Sequence, residues 1–131
     1  MMQDTVSVEA FGKDHWSTLA FVETRCVDDG GIVDKERMRC NTSRHAALLG
    51  RIQQRSTSKW DEKWGTILSD GTVLPEHDDW DCLIDLAKAG YVEIVDIDEG
   101  NVHLTDQGWQ VAHQLRRFIA EGGTYKAFRP S

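Results

Sequence analysis

The sequence predicts an α+β fold dominated by helices, with a C-terminal β-hairpin and a final helix. Three observations predict it. An apolar pattern at helical spacing (Trp80, Leu83, Ile84, Leu86, Ala87) stops at Gly90. Two β-like runs follow, 91–97 and 101–104, on either side of Asp98-Glu99-Gly100. Thr105 and Asp106 then open a last helix with apolar positions Trp109, Val111, Ala112, Leu115, Phe118 and Ile119.

The other elements follow in order. Residues 1–10 show no periodicity. Asp14 is the expected N-cap of a first helix carrying Trp16, Leu19, Ala20, Glu23, Cys26 and Val27 at helical spacing, with Phe21 and Val22 widening the apolar face. Gly30-Gly31 ends it, because glycine accepts the left-handed cap geometry. Ile32-Val33 reads as a short strand, and Asp34 caps a brief helix through Met38. Thr42 or Ser43 caps another, with Ala46, Ala47, Leu48, Leu49 and Ile52. Residues 53–63 are polar and read as a loop. A hairpin is expected from 64–68 and 72–74, turning at Ser69-Asp70-Gly71. Pro75 blocks further strand, and Asp78 or Asp79 caps the helix that ends at Gly90. The reading is one domain over 1–131, with a helical part at 12–55, a second part at 64–122 and a tail from 123. Trp16, Leu19, Trp80, Leu83, Trp109, Ala112 and Leu115 are expected to share its core.

Composition sets the class. The chain has 131 residues, 40% hydrophobic and 28% charged, which is ordinary globular material with enough length for a core. No apolar run approaches the roughly 20 residues that span a bilayer. The N-terminal stretch shows no basic segment followed by an apolar one, so no secretory signal is expected. Three widely spaced cysteines make no disulfide framework, and the cytoplasm is the expected compartment.

The net charge of −7 hides an asymmetry. Residues 35–63 carry eight basic side chains against three acids. Residues 70–99 carry ten acids against Lys88 alone. The chain therefore has a basic segment and an acidic segment, each suited to a different partner.

The stretch AGYVEI…VHLTDQGWQVA resembles the winged-helix pattern, in which a glycine turn leads into a strand, a wing, a second strand and a helix begun by Thr-Asp-x-Gly. The resemblance covers about a third of the chain. A second one covers most of it. DHWSTLAFVETRCVDDGGIVDKERMRCNTSRH, with HDDWDC and the helix–Gly-Gly ending, resembles a group of small phage and prophage proteins. That setting implies a viral protein binding host or defence machinery, including CRISPR complexes, as an anti-CRISPR factor would.

No residue set reads as a catalytic centre, and neither metal nor cofactor is expected. Cys26, Cys40 and His45, with His15 or Cys82 as a fourth, are the zinc candidates, but none forms a local chelating pair. Cys26 and Cys82 fall on apolar faces, where a thiol packs as a small hydrophobe. Glu76-His77-Asp78-Asp79-x-Asp81 crowds one helix start, where capping and the helix dipole account for acids. His103 and His113 stand alone. Trp60 and Trp64, each next to a lysine (Lys59 and Lys63), are suited to stacking or to covering a core edge.

A winged helix reads DNA with a basic helix and wing. Here the wing, 95–101, holds three acids and no base. The expected function is therefore protein–protein binding through an acidic face of Asp78, Asp79, Asp81, Asp96, Asp98 and Glu99. Such a face would act as a DNA mimic toward a host complex that handles nucleic acid. The alternative is a DNA-binding regulator using Arg37, Arg39, Arg44, Arg51, Arg55, Lys59 and Lys63.

Overall fold

The computed structural model describes residues 6–31, 65–75, 77, 79–96 and 101–130. After a short 3₁₀ turn at Val8–Ala10, the elements are α1 (Lys13–Asp29), β1 (Gly65–Ile67), β2 (Val73–Pro75), α2 (Asp79–Lys88), β3 (Val92–Asp96), β4 (Asn101–Leu104) and α3 (Asp106–Ala120). This is the helix-dominated α+β architecture expected, with a C-terminal hairpin and a final helix. The expected strand, helices and loop over residues 32–63 lie outside the described residues. No described helix is long and apolar enough to cross a membrane.

α1 starts two positions earlier than expected. Its N-cap is Gly12 in extended backbone, and Asp14 falls within the first turn. The Asp14 carboxylate instead accepts the Ile67 N–H at 3.0 Å and ties the first turn of α1 to β1. Glycine is required at 12 because a Cβ there would meet the Ile67 carbonyl oxygen at 2.0 Å. The helix stops as expected at Gly30, in the left-handed region at φ 64°. Gly31 then accepts the Val102 N–H at 2.8 Å, which joins the end of α1 to β4.

β1 and β2 pair antiparallel, Gly65 opposite Pro75 and Ile67 opposite Val73. Their turn is closed by the Asp70 carboxylate, which accepts the Thr72 N–H at 2.9 Å. β3 and β4 also pair antiparallel, Val92 opposite Leu104 and Ile94 opposite Val102, with a register shift between Ile94 and Asp96. On β4, Val102 and Leu104 turn inward and His103 outward, as the two-residue period of a strand requires. Thr105 caps α3 as expected: its hydroxyl accepts the Gly108 N–H at 2.9 Å. The same hydroxyl donates to the Gly90 carbonyl, locking the end of α2 to the start of α3.

The core lies where α1 crosses α2, α3 and the β3–β4 hairpin. Trp16, Leu19, Val22, Trp80, Leu83, Leu86, Val102 and Leu115 are buried there. Two expectations are corrected. Trp109 is 41% exposed. Gly108 takes the inward position, and a Cβ on it would meet the Tyr91 carbonyl oxygen at 1.8 Å. The inward stripe is Gly108, Val111, Ala112 and Leu115. Trp109, about 100° further round, turns out with His113 and Arg116. The second correction concerns the tail from 123. Phe128 is buried and packs edge-on against Trp16, with ring centroids 5.0 Å apart, so the end of the chain closes the core.

Candidate functional site

Beneath this core, three ionisable side chains meet. His15 comes from the first turn of α1, His77 from the link between β2 and α2, and Asp85 from the middle of α2. Nε2 of His15 lies 2.9 Å from Asp85 Oδ2, and Nε2 of His77 lies 2.8 Å from the same oxygen. The three are shut away from solvent, at 0%, 3% and 4% exposure. Asp85 Oδ1 accepts the Val6 N–H at 3.3 Å. Phe11 stacks flat on the His15 ring, centroids 4.1 Å apart, and fixes its plane. His77 Nδ1 lies 2.7 Å from Thr66 Oγ1 on β1. Thr66 Oγ1 is also 2.7 Å from the His77 carbonyl. The centre thus links the N-terminal segment, α1, β1 and α2.

Proton counting constrains its charge. The Thr66 hydroxyl has one hydrogen, and the His77 carbonyl can only accept it. Thr66 must therefore accept from His77, which places a proton on Nδ1. In a neutral ring that leaves a bare lone pair on Nε2, aimed at a carboxylate oxygen 2.8 Å away. Two lone pairs at that separation repel, the more so without water. A positive charge must lie between them, carried by a second proton or by a metal ion. Burial opposes the charge on Asp85, but the contacts with His15 and His77 outweigh it and hold the carboxyl below its ordinary value. Nδ1 of His15 is buried with no hydrogen-bond partner among the described residues.

Cys82 sits at the edge of this centre, its sulfur 3.5 Å from Thr66 Oγ1. Burial raises its thiol well above the ordinary range, so it packs as an unreactive group. Cys26 is also raised by burial, and its thiol donates to the Val102 carbonyl at 3.3 Å. His15 and Cys26 lie about 16 Å apart along α1 by helical rise, so they do not converge on one ion. Cys40 and His45 lie outside the described residues.

The expected acidic face is partly placed. Asp79 and Asp81 stand half-buried on the first turn of α2. Asp96 ends β3, and Asp78, Asp98 and Glu99 lie outside the described residues. So do Trp60, Trp64 and the basic set Arg37, Arg39, Arg44, Arg51, Arg55, Lys59 and Lys63. Asp85, one of the ten acids of 70–99, belongs to the interior and adds nothing to a surface field.

On the outside, a groove runs between α1 and α3. Glu23, Thr24, Val27, Trp109 and Arg116 line one stretch of it. Trp109 also borders a shallow hollow on α3 itself with Gln110, His113 and Gln114. Val27 is 68% exposed. Arg116 reaches across to Glu23 at 3.2 Å and holds the two helices in register.

No family model, curated protein or solved structure matches this chain.

Neither feature was fully legible in the residue pattern. His77 reads as part of an acidic helix start, and Asp85 attracts no notice. One signal does point inward: Asp85 lies between Leu83 and Leu86 and three residues from Cys82, all buried. An acid among inward positions needs a buried partner. The sequence does not say which residues supply it, because His15 is 70 positions away.

Proposed function

We propose that this chain is a binding module that acts by protein–protein contact, centred on the exposed face of α3 and the end of α1. The observation that carries the reading is Trp109. A large aromatic stands 41% exposed on a well-anchored helix, beside Val27 at 68%. Tryptophan is enriched among the residues that dominate binding energy, and apolar side chains rimmed by polar ones mark interaction sites. The Glu23–Arg116 pair and His113 supply such a rim.

The acidic wing supports the choice of partner. The end of α1, which bears Val27, is bonded to β4 through Gly31 and Val102. The β3–β4 hairpin therefore springs from beside the apolar patch, and in the sequence Asp96, Asp98 and Glu99 fall at or between its strands. A surface of this kind suits a protein with a basic, nucleic-acid-binding channel, which acids of the wing would occupy in place of phosphates. Resemblance to small phage proteins agrees with a host or defence complex as the target.

The test is capture from host lysate, with and without nuclease, using the parent, Trp109→Ala and a wing variant with Asp96, Asp98 and Glu99 changed to Lys. Trp109→Ala should weaken the nuclease-resistant complex about 30-fold, equivalent to about 2 kcal/mol. Wing reversal should weaken it most at low salt. The reading fails if both variants bind like the parent. A complex lost on nuclease treatment, abolished by Arg37, Arg44 and Arg51 substitutions and indifferent to the wing acids would establish the DNA-binding alternative.

A further inference from the structure

We propose that His15, His77 and Asp85 form a metal centre for a divalent ion of the zinc class, with Thr66 as its positioning residue. Three observations carry the inference, none of them dependent on the docking face.

The first is convergence. A ring nitrogen from each histidine and a carboxylate oxygen of Asp85 lie within 4.8 Å of one another. They arrive from α1, from the β2–α2 link and from α2. Zinc binds histidine nitrogen and carboxylate oxygen at about 2.0–2.2 Å, so two ligands on a tetrahedral ion stand about 3.3 Å apart. The Nε2–Oδ2 separations of 2.9 and 2.8 Å need to open by about 0.5 Å, and the two ring nitrogens, within 4.8 Å of each other, settle toward the same spacing on a bound ion.

The second is the proton count. His77 Nδ1–H is committed to Thr66, so the lone pair of Nε2 is presented toward Asp85. This is the outer-shell arrangement that fixes the tautomer of a metal-binding histidine. A metal ion between Nε2 and Oδ2 removes the repulsion of their lone pairs and draws in His15 Nε2, which meets the same oxygen. The third is support. Stacking of Phe11 on His15 and the Val6 N–H on Asp85 Oδ1 hold the other two ligands. Three protein donors leave one position of a tetrahedral ion for a water molecule, and binding needs no change in the protonation of His77 Nδ1.

Absence of a local chelating pair argues against a metal when only chain spacing is known. Here the donors are 62 and 70 positions from His15, counted to His77 and Asp85, and folding alone collects them. Of the zinc set read from the sequence, Cys26 and His15 stand apart along α1, and Cys40 and His45 lie outside the described residues.

The experiment uses the full chain. Protein purified without chelator is assayed for metals, then stripped and titrated with Zn²⁺ and with Co²⁺, following melting temperature and the visible absorption of cobalt. We expect about one bound ion per chain, a rise in melting temperature on adding Zn²⁺, and tetrahedral cobalt bands without thiolate charge transfer. His77→Gln and Asp85→Asn should abolish stoichiometric binding. Thr66→Val should keep the ligands but weaken Co²⁺ affinity about 10–100-fold, the usual effect of removing an outer-shell partner. The parent protein alone decides the matter should a variant not fold. Stripped parent that neither melts higher with Zn²⁺ nor colours with Co²⁺ overturns the proposal and leaves a proton holding the centre together. Binding that shows thiolate charge transfer, or survives in His77→Gln, places the metal elsewhere and overturns it equally.

Discussion

Replacing Gly108 by alanine should destabilise this protein, although the same change in an ordinary helix interior stabilises it by about 0.5–1 kcal/mol. Gly108 stands in the first turn of α3, buried against β3. A Cβ there would lie 1.8 Å from the Tyr91 carbonyl oxygen and 2.8 Å from its carbon. Those are backbone atoms and cannot rotate away. Contact at an ordinary distance requires the start of α3 to retreat from the hairpin by more than about 1 Å. Yet the Tyr91 oxygen also accepts the Thr105 N–H at 3.0 Å, and Thr105 holds Gly90 through its hydroxyl. The retreat therefore strains at least two hydrogen bonds at one joint. Overpacking costs about 1–3 kcal/mol, and a backbone neighbour puts this site at the upper end. After the gain in helix propensity, the net loss should be about 2 kcal/mol. Urea unfolding followed by far-UV circular dichroism measures it, with the midpoint falling and the slope unchanged. Gln107→Ala, at an exposed neighbour, is the control and should change stability by less than about 0.5 kcal/mol. A Gly108→Ala protein as stable as the parent would refute the close approach of α3 to Tyr91.

Other outcomes follow from the same contacts. Thr105→Ala removes a helix cap and leaves the Gly90 carbonyl without its donor, for an expected loss of about 1–2 kcal/mol by the same unfolding assay. Asp85→Ala strips the partner from His15, His77 and the Val6 N–H together, and should cost about 3–5 kcal/mol in metal-free protein. Trp109→Ala, at an exposed site, should lower stability by less than about 1 kcal/mol while still impairing partner capture, so binding and folding separate at that residue. Cys82 should resist alkylation in native protein and label fully after unfolding, as site-resolved mass spectrometry would show.

Local signals were enough for most of the described elements. Gly30, Gly71 and Gly90 take positive φ where the sequence places stops and turns, because a residue without Cβ enters that region at no steric cost. Thr105 caps because its short hydroxyl reaches an N–H three residues on, and within the two β-like runs Val92–Asp96 and Asn101–Leu104 pair as alternating strands. Periodicity failed where a neighbour from another element decided which side faces in. Trp109 reads as core by hydrophobicity, but the carbonyl of Tyr91 admits only glycine at 108, and that rotates the tryptophan outward. Phe128 reads as tail, and Trp16 draws it into the core. Of the candidate site, the sequence offered His15 as an optional zinc ligand and His77 within an acidic helix start, and singled out nothing at Asp85. His15 and Asp85 stand 70 positions apart, and no spacing rule relates them. Helical and strand periods describe how a chain presents its side chains to its near neighbours. Bringing two imidazoles and a carboxylate onto one point depends on the crossing of α1 over α2, a property of packing that only the tertiary structure decides.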